Sequence, residues 1–399
     1  MNILVLNCGS SSIKFQVVEM PEYSIAAKGG IGRIGYEDAE FKFGTGEGKE
    51  ELHIVPVRNH EEGIDLILHS LFSKDEGLGL SKEDIGAVGH RVVQGGDRRN
   101  VSVVIDEAVI RDIEEIKDLA PLHNPNHLAG IYAVRKLLPE VLQVAVFDNG
   151  FHSTLPESAY LYGLPHEYRE KYGIRRYGFH GIAFRSMAEG LEKLIGQPFE
   201  SFRIVNLMLG SGTTANAVSY GRSVEVSTGF TPHEGLIQST RTGDVDTAAV
   251  LYIMRKEGLS VDEADDMINK KSGWKGMSGI SNDMREIKEA ADKGDKRAEA
   301  TIEAVCHRFR KYVGAYSAIL GGTDILAFSG GVGENAWYIR EKVCEGLEFM
   351  GIELDREKNR SLKGEGIISS DSSKVKILVT YANEEKIIAE DTYRLATEK

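Results

Sequence analysis

Three glycine-rich turns in this sequence combine residue types that could hold phosphate groups. They lie at residues 8–12, 210–214 and 329–335. Glycine lets the backbone approach a ligand closely, while serine hydroxyls and exposed N–H groups supply donors for an anion. The third turn precedes a predicted helix, whose N-terminal N–H groups and dipole also favour an anion. It is not a P-loop, because the Gly-Lys-Ser/Thr ending is absent.

Two arginines, a histidine and two acids complete a set that suits phosphoryl transfer. They are Arg91, Arg241, His180, Asp148 and Glu384. Phosphoryl transfer requires mainly positioning, together with neutralisation of charge on the transferred group and its metal. Two arginines can clamp phosphoryl oxygens, a carboxylate can hold Mg²⁺, and a histidine can donate to the equatorial oxygens.

Each of these side chains also has a structural interpretation. Arg91 fits a surface loop, Asp148 could cap the turn that Asn149 and Gly150 predict, and a lone histidine such as His180 often serves packing. Glycines on both sides of His180 predict a ring less crowded by its neighbours. An acyl hydrolase is disfavoured, because no Gly-x-Ser-x-Gly nucleophile elbow stands where a strand meets a helix.

The composition favours small molecules as partners. A formal net charge of −13 over 399 residues argues against nucleic acids and anionic membranes, which reward basic surfaces. Three widely spaced cysteines are too few for a disulfide framework or a zinc site. No targeting segment or membrane-spanning run is visible. We therefore expect a soluble, cytoplasmic protein.

The first two turns belong to a repeated strand–turn–strand pattern. Residues 3–6 and 13–18 are short apolar, β-branched runs around the first turn, and residues 203–209 and 215–220 flank the second. The two units lie roughly half a chain apart, which predicts an internal duplication. We expect each half to contribute one loop to a shared cleft.

Apolar strands alternate with helices in the remaining sequence, which predicts a doubly wound α/β fold. Further strands are predicted at 85–88, 144–147, 325–328 and 375–380. Helical periodicity predicts helices at 60–72, 109–119, 127–138, 246–256, 261–270, 295–320, from the third turn through residue 350, and from 383 nearly to the C-terminus. Arg91 and Asp148 then follow strand ends, where open α/β sheets place ligands.

The chain resembles the acetokinase family over essentially its full length. The matching motifs are N-C-G-S-S-S-I-K-F at 7–15, G-H-R-V-V at 89–93, A-P-L-H-N-P at 120–125, V-F-D at 146–148, R-R-Y-G-F-H-G at 175–181, G-F-T-P at 229–232, T-R-T-G-D at 240–244, D-M-R at 283–285, G-G-V-G-E-N at 330–335 and N-E-E at 383–385.

This resemblance implies a fold, a reaction and an assembly. The fold would be α/β, with two related ribonuclease-H-like (actin-like ATPase) domains and a nucleotide cleft between them. The N-terminal domain would span 1–150, and the C-terminal helix 386–399 would pack on it. The C-terminal domain would span 151–385. The reaction would be reversible transfer of a phosphoryl group from ATP to acetate, giving acetyl phosphate and ADP, with Mg²⁺ or alternatively Mn²⁺. The assembly would be a homodimer.

The resemblance also assigns roles to matching residues. Arg91 would bind substrate, Asp148 would act as catalytic acid or base, and His180 and Arg241 would stabilise the transition state. The remaining roles are a methyl pocket of Val93, Leu122, Phe179 and Pro232; nucleotide contacts from Lys14, Gly210, Ser211, Gly212, Asp283, Met284, Arg285, Gly331, Val332, Gly333, Glu334 and Asn335; and a magnesium site of Asn7 and Glu384.

The sequence departs from the family pattern at several presumed cleft positions. The altered residues are Gln94, Asn149, Gly150, Ile182, Ala183, Phe184, Met208, Ser211 and His233. Met208 and Ser211 stand where the family pattern has a histidine and an asparagine. Loss of one donor aimed at developing charge typically costs about a hundredfold in rate. Two alternatives therefore stay open: an acyl kinase with a changed acceptor or donor (propionate, butyrate or pyrophosphate), and a nucleotide-binding paralogue with little turnover.

Overall fold

The computed structural model of this chain describes residues 1–46, 48–75, 77–120 and 123–398. It divides into two compact units, Met1–Phe151 with Asn383–Lys399, and His152–Ala382. Each unit is built around one mixed β-sheet. Among the described residues, no helix combines the length and the apolar character that a bilayer crossing requires.

The first unit opens with an antiparallel meander and continues with alternating helices and strands. Its strands are β1 (Asn2–Cys8), β2 (Ile13–Glu19), β3 (Ser24–Gly32), β4 (Ala39–Thr45), β5 (Glu51–Val55), β6 (Ile85–Val92), β7 (Val103–Val104) and β8 (Leu142–Phe147). Its helices are α1 (His60–Phe72), α2 (Glu107–Glu115), α3 (Asn124–Leu137) and the last helix of the chain, α15 (Glu384–Thr397).

The first sheet has the strand order β5-β4-β3-β2-β1-β6-β8-β7. β1 and β2 form the predicted hairpin, with Asn7 opposite Lys14. β1, β6 and β8 are parallel to one another. Their carboxyl ends therefore meet at one edge of the sheet, which is where open α/β sheets bind ligands.

The second unit repeats this arrangement with more helices. Its strands are β9 (Arg203–Leu209), β10 (Thr213–Ser219), β11 (Arg222–Val226), β12 (Ile325–Ser329), β13 (Gly366–Ile367) and β14 (Lys376–Val379). Its helices are α4 (Glu157–Tyr160), α5 (His166–Tyr172), α6 (Gly181–Ile195), α7 (Thr247–Glu257), α8 (Val261–Lys270), α9 (Gly273–Ser278), α10 (Met284–Asp292), α11 (Lys296–Ile319), α12 (Gly330–Asn335), α13 (Trp337–Cys344) and α14 (Arg356–Ser361). Short 3₁₀ helices in the chain are Lys82–Asp84, Lys117–Leu119, Gly150–Thr154, Phe199–Ser201 and Glu348–Met350.

The two sheets share one topology. The second has the order β11-β10-β9-β12-β14-β13, in which β9, β12 and β14 are parallel and β10 and β11 continue the antiparallel side. In both sheets an antiparallel hairpin leads into three parallel strands, and a two-residue antiparallel strand closes the far edge. The predicted internal duplication is confirmed at this level.

The strand predicted at 85–88 is too short. β6 continues to Val92, so Arg91 lies within the strand and pairs with Val146 of β8 rather than following the strand end. Gly89 and His90 suggested a break, but both are accommodated by distant contacts. A Cβ at Gly89 would lie 2.3 Å from Thr392 Oγ1 of α15, so the last helix can pack on β6 only because this residue is glycine.

Two helix predictions also need correction. The helix predicted from the third turn through Met350 is three segments, because the backbone leaves the helical region at Ala336 and again after Cys344. The helix predicted from residue 127 begins at Asn124. Pro125 falls in its first turn, where a missing N–H leaves no helical hydrogen bond unmade.

Candidate functional site

A buried ion-pair cluster stands at the carboxyl edge of the first sheet. Arg91 Nη2 donates to Asp148 Oδ2 at 2.9 Å, and Arg91 Nη1 lies 3.8 Å from Glu384 Oε2. The side chains of Arg91 and Asp148 are only 17% and 1% exposed. Three elements meet here, because Arg91 is on β6, Asp148 directly follows β8 and Glu384 begins α15.

The charged groups of this cluster shift one another's pKa values. Burial lowers the pKa of Arg91, but the carboxylates of Asp148 and Glu384 outweigh burial and raise that pKa above its ordinary value. Burial raises the pKa of Glu384 to about 6, although the charge of Arg91 acts in the opposite direction. The cluster therefore has more acidic than basic groups, and one of its carboxyls has a raised pKa.

Several polar atoms around Arg91 are buried and have no hydrogen-bond partner among the described residues. They are Arg91 Nε, Gln94 Nε2 and both ring nitrogens of His127. Burial lowers the pKa of His127 well below its ordinary value, and the nearby Arg91 charge acts in the same direction. Unpaired buried donors are uncommon and usually mark a place for a ligand or water. His127 carried no signal in the sequence.

Two departures from the family pattern hold the loop after β6. Asn149 Oδ1 accepts from the N–H of Gly95 at 3.0 Å, and Gln94 Oε1 accepts from that of Gly96 at 2.9 Å. The main chain of Gln94 also bonds the Asn124 amide in both directions. Gln94 and Asn149 are therefore part of the loop's own framework. Val93 is buried beside them, and the predicted pocket residue Leu122 lies outside the described residues.

The metal ligands assigned by resemblance both belong to this unit. Asn7 lies on β1, and Glu384 begins α15, which packs on β1. An amide oxygen and a carboxylate are donors that suit Mg²⁺, which commonly takes only one or two protein groups together with phosphate oxygens. Among residues in the described ranges, no three His, Cys, Asp or Glu side chains cluster as a metal site. The donor set fits Mg²⁺ bound jointly with a nucleotide.

The first glycine-rich turn is held from both sides. The Gly9 N–H donates to Ser12 O at 2.7 Å, and the Gly9 carbonyl contacts His60 Nε2 at 2.7 Å. His60 begins α1. Ser10 and Ser11 remain exposed, so their hydroxyls can face a ligand, and Lys14 follows on β2.

In the second unit, His180 lies against the second glycine-rich turn. Its Nδ1 is 2.8 Å from Thr214 Oγ1, and a Cβ added at Gly212 would lie 3.1 Å from His180 Cε1. The sequence predicted that glycines beside His180 leave its ring less crowded. The structure gives a different reason for Gly178. Gly178 has φ +81°, and a Cβ there would lie 2.7 Å from His152 Cδ2, so both the backbone conformation and the packed His152 side chain require glycine.

Phe184 and Met208 fill space rather than supply donors. Phe184 is buried and meets the His152 ring edge-on, with centroids 5.7 Å apart. Met208 Sδ lies 2.9 Å from the Cβ position of Gly330, at the start of the third turn. These two departures therefore belong to the packing of the second unit.

Among the described residues, Arg241 has no acidic partner. Its Nη1 donates to Gln238 Oε1 at 3.2 Å, and no carboxylate within the described part of the chain forms an ion pair with it. Burial lowers its pKa. Beside it, Thr242 Oγ1 is 2.9 Å from Nε2 of His233, whose Nδ1 is 3.3 Å from Asn269 Oδ1. Arg241 is therefore prepared to meet an anion.

A pocket of about 630 Å³ opens beside the second and third turns. Its lining residues are Gly210, Ser211, Trp274, Asn282, Asp283, Met284, Arg285, Gly331, Val332, Asn335, Ala336 and Tyr338. It thus gathers most of the predicted nucleotide residues of this unit, and its volume suits a nucleotide. Trp274, Asn282, Ala336 and Tyr338 were missed by the sequence analysis.

Three predicted nucleotide residues do not line this pocket. Gly212 faces His180 instead. The carbonyls of Gly333 and Glu334 each accept from Arg340 Nη1 at 2.8 Å. Glu334 Oε1 also accepts from the Gly330 N–H at 3.0 Å. These contacts shape the third turn, and the first N–H of α12 is already used.

The fold and these sites together define a two-unit α/β protein built from one duplicated sheet. The first unit carries a buried acid–arginine cluster, and the second carries a nucleotide-sized pocket and an arginine that forms no ion pair among the described residues. The chain belongs to the acetokinase family, whose model matches residues 2–390.

The chain is similar to acetate and propionate kinases over nearly its whole length. The acetate kinase of Thermotoga maritima is 49% identical over 98% of both chains. Among solved structures, the acetate kinase of Porphyromonas gingivalis matches with a TM-score of 0.94 and 42% identity over 99% of both chains. A propionate kinase of Francisella tularensis matches with a TM-score of 0.91 and 36% identity, also over 99% of both.

Proposed function

We propose that this chain catalyses reversible phosphoryl transfer between ATP and acetate, giving acetyl phosphate and ADP. The observation that carries this proposal is the 49% identity, over 98% of both chains, with a protein named acetate kinase. The residues assigned to the reaction by resemblance are all present, and their local contacts suit the chemistry.

In the first unit, Arg91 binds the carboxylate of acetate. Asp148 holds Arg91 in place and acts as the catalytic acid or base. The unpaired Arg91 Nε supports this role, because a buried donor without a partner can be satisfied by a substrate oxygen. By resemblance, Val93 and Leu122 are assigned to the methyl group of acetate, as are Phe179 and Pro232 of the second unit. Asn7 and Glu384 hold Mg²⁺, which supplies charge neutralisation on the phosphate oxygens when bound.

In the second unit, Arg241 and His180 donate to the oxygens of the transferred phosphoryl group. The absence of an acidic partner for Arg241 among the described residues supports this role, because its charge is not already neutralised. The transition state spreads charge over three equatorial oxygens, which is what fixed donors stabilise best. The pocket beside the second and third turns takes the nucleotide. By resemblance, Lys14 of the first unit is also assigned to the nucleotide phosphates.

The test is turnover of the purified protein with ATP, Mg²⁺, acetate and hydroxylamine. Acyl phosphate formed in the reaction is trapped as the hydroxamate, so a coloured product requires phosphoryl transfer to the acid. We expect hydroxamate that depends on ATP, acetate and Mg²⁺. Nucleotide binding by calorimetry without hydroxamate, across a panel of acids, would instead favour a nucleotide-binding paralogue.

A second candidate is an acyl kinase that prefers a longer acid. It is favoured by the similarity to a solved propionate kinase. The same assay with acetate, propionate and butyrate ranks the acceptors by kcat/KM, and we expect acetate first. Replacing ATP by pyrophosphate tests the donor, and the retained G-G-V-G-E-N turn predicts that pyrophosphate is not used.

We also propose that the protein works as a homodimer in the cytoplasm. Helix α7 supports the dimer, because none of its residues is buried although it carries Leu251 and Tyr252, which are 50% and 58% exposed. A second copy would cover this face. The cysteines of the chain are buried and unpaired, in keeping with a reducing compartment. Light scattering after size exclusion measures the mass, and Leu251→Glu should shift it towards the monomer.

A further inference from the structure

Gln238 is a buried amide that contacts several parts of the second unit at once. It is 1% exposed. Its Oε1 accepts from Arg241 Nη1 at 3.2 Å, and its Nε2 donates to Pro232 O at 2.6 Å. It therefore links the proposed transition-state arginine to the segment that carries the proposed methyl pocket.

The same amide oxygen reaches the second glycine-rich turn. A Cβ placed on Gly212 would lie 3.6 Å from Gln238 Oε1 and 3.3 Å from His180 Nε2. The main chain reinforces this arrangement, since the Ser239 N–H donates to Ser211 O and the Gln238 N–H donates to Arg241 O. Gln238, Arg241 and His180 therefore belong to one compact assembly around the turn.

We propose that Gln238 is the positioning residue for Arg241, and through it sets the rate of phosphoryl transfer. This inference rests on the proposed function. Within the described ranges, Gln238 Oε1 is the only hydrogen-bond acceptor of the Arg241 side chain. No carboxylate in these ranges forms an ion pair with the guanidinium. A neutral amide can hold an arginine without neutralising it, whereas a carboxylate would weaken its attraction to phosphate.

The amide also explains how alignment is achieved at little electrostatic cost. Both polar atoms of Gln238 are bonded, so the side chain has a fixed orientation rather than a choice of rotamers. Misplacing a catalytic group by about 1 Å can cost about a hundredfold in rate. An apolar side chain at position 238 would leave Arg241 with its charge but without this alignment.

The test is a double-mutant cycle between positions 238 and 241 in the hydroxamate assay. Gln238→Met should lower kcat about 10- to 100-fold, with the KM for ATP changed less than about twofold, because Gln238 does not line the nucleotide pocket. In an Arg241→Ala background, Gln238→Met should cost less than about twofold, because the residue it positions is gone.

Gln238→Glu separates alignment from charge. The carboxylate keeps an acceptor for Arg241 but adds a negative charge at that point, so we expect kcat below that of Gln238→Met. A rate equal to wild type for either variant overturns the inference. An equal loss in the wild-type and Arg241→Ala backgrounds also overturns it, because the role would then be structural.

Two controls keep these outcomes distinct. Gln143→Met removes another buried glutamine amide, which bonds His90 in the first unit, and should lower the melting temperature while leaving kcat near wild type. Thermal unfolding of each variant shows that it is folded at the assay temperature. Absence of turnover in wild type overturns the proposed function and this inference together, whereas wild-type turnover with an unaffected Gln238→Met overturns the inference alone.

Discussion

The two proposed substrate arginines occupy opposite electrostatic environments. Arg91, in the first unit, is bonded to Asp148 and lies near Glu384. Arg241, in the second, contacts a neutral amide and has no acidic partner in the described part of the chain. The first cluster has more acid than base, which suits a metal cation. The second has an uncompensated positive charge, which suits a phosphate. The two units of a duplicated fold thus differ in the charge that they present.

The largest expected effect comes from removing the uncompensated charge. Arg241→Ala should lower kcat by about a thousandfold or more, because an arginine that meets the transferred phosphoryl group is worth about 10³–10⁵ in rate. Arg241→Lys keeps the charge but not the planar fork and should recover only part of the loss. Hydroxamate formation measures both. A loss below tenfold in Arg241→Ala would remove it from the transition state.

For the free energy of unfolding, we expect the larger loss from Arg91→Ala and the smaller loss from Arg241→Ala. Arg91→Ala breaks the buried ion pair with Asp148, which typically costs about 3 kcal/mol or more. Arg241→Ala strands no acid among the described residues and leaves only the neutral amide oxygen of Gln238 unpaired, so it should cost less than Arg91→Ala, about 1 to 3 kcal/mol at most. Urea unfolding of both variants tests the contrast. Equal destabilisation would contradict the proposed difference between the two arginines.

Acid should weaken the first unit through His90. Burial lowers the pKa of His90 to about 4, and its bond to Gln143 only partly opposes this. In the unfolded chain His90 takes up a proton near pH 6.5, whereas in the folded chain it takes one up only near pH 4. The free energy of unfolding therefore falls as the pH drops from about 6.5 to about 4. His90→Gln removes this contribution, which is about 3 kcal/mol at most. Unfolding at pH 7 and pH 4.5 should show a smaller loss for the variant than for wild type. The account of His90 would fail if both lost the same amount.

The smallest expected effect concerns the second glycine-rich turn. Ser211 is exposed, lines the nucleotide pocket and stands where the family pattern has an asparagine. Ser211→Asn restores an amide donor and should raise kcat/KM for ATP by less than about tenfold, because the serine hydroxyl already supplies a donor. Steady-state kinetics at varied ATP measure it. A fall in kcat/KM would indicate that this turn does not meet phosphate.

Local patterns predicted much of this fold. The two hairpins, α1 and α8 were placed correctly, because alternation and helical periodicity reflect one buried face. β6 was cut short because Gly89 and His90 look like a strand end. Their accommodation depends on Thr392 and Gln143, which are distant in sequence, and no local pattern contains that information.

The candidate site was predictable only as residue types. Motifs indicated Arg91, Asp148 and Arg241, but not which arginine has an acidic partner. Gln238 was missed because a glutamine among small polar residues carries no signal until the turn brings its amide to Arg241. Helix α7 was predicted from its periodicity, yet none of its residues is buried, since periodicity does not reveal what covers a face.

The most direct test of the central claim is ³¹P nuclear magnetic resonance of the wild-type protein with ATP, Mg²⁺ and acetate, beside Arg241→Ala. We predict that the acetyl phosphate resonance grows as the γ-phosphate resonance of ATP declines, and that the variant shows no acetyl phosphate on the same timescale. Release of the γ-phosphate only as inorganic phosphate, or an unchanged ATP spectrum with wild type, would contradict the account.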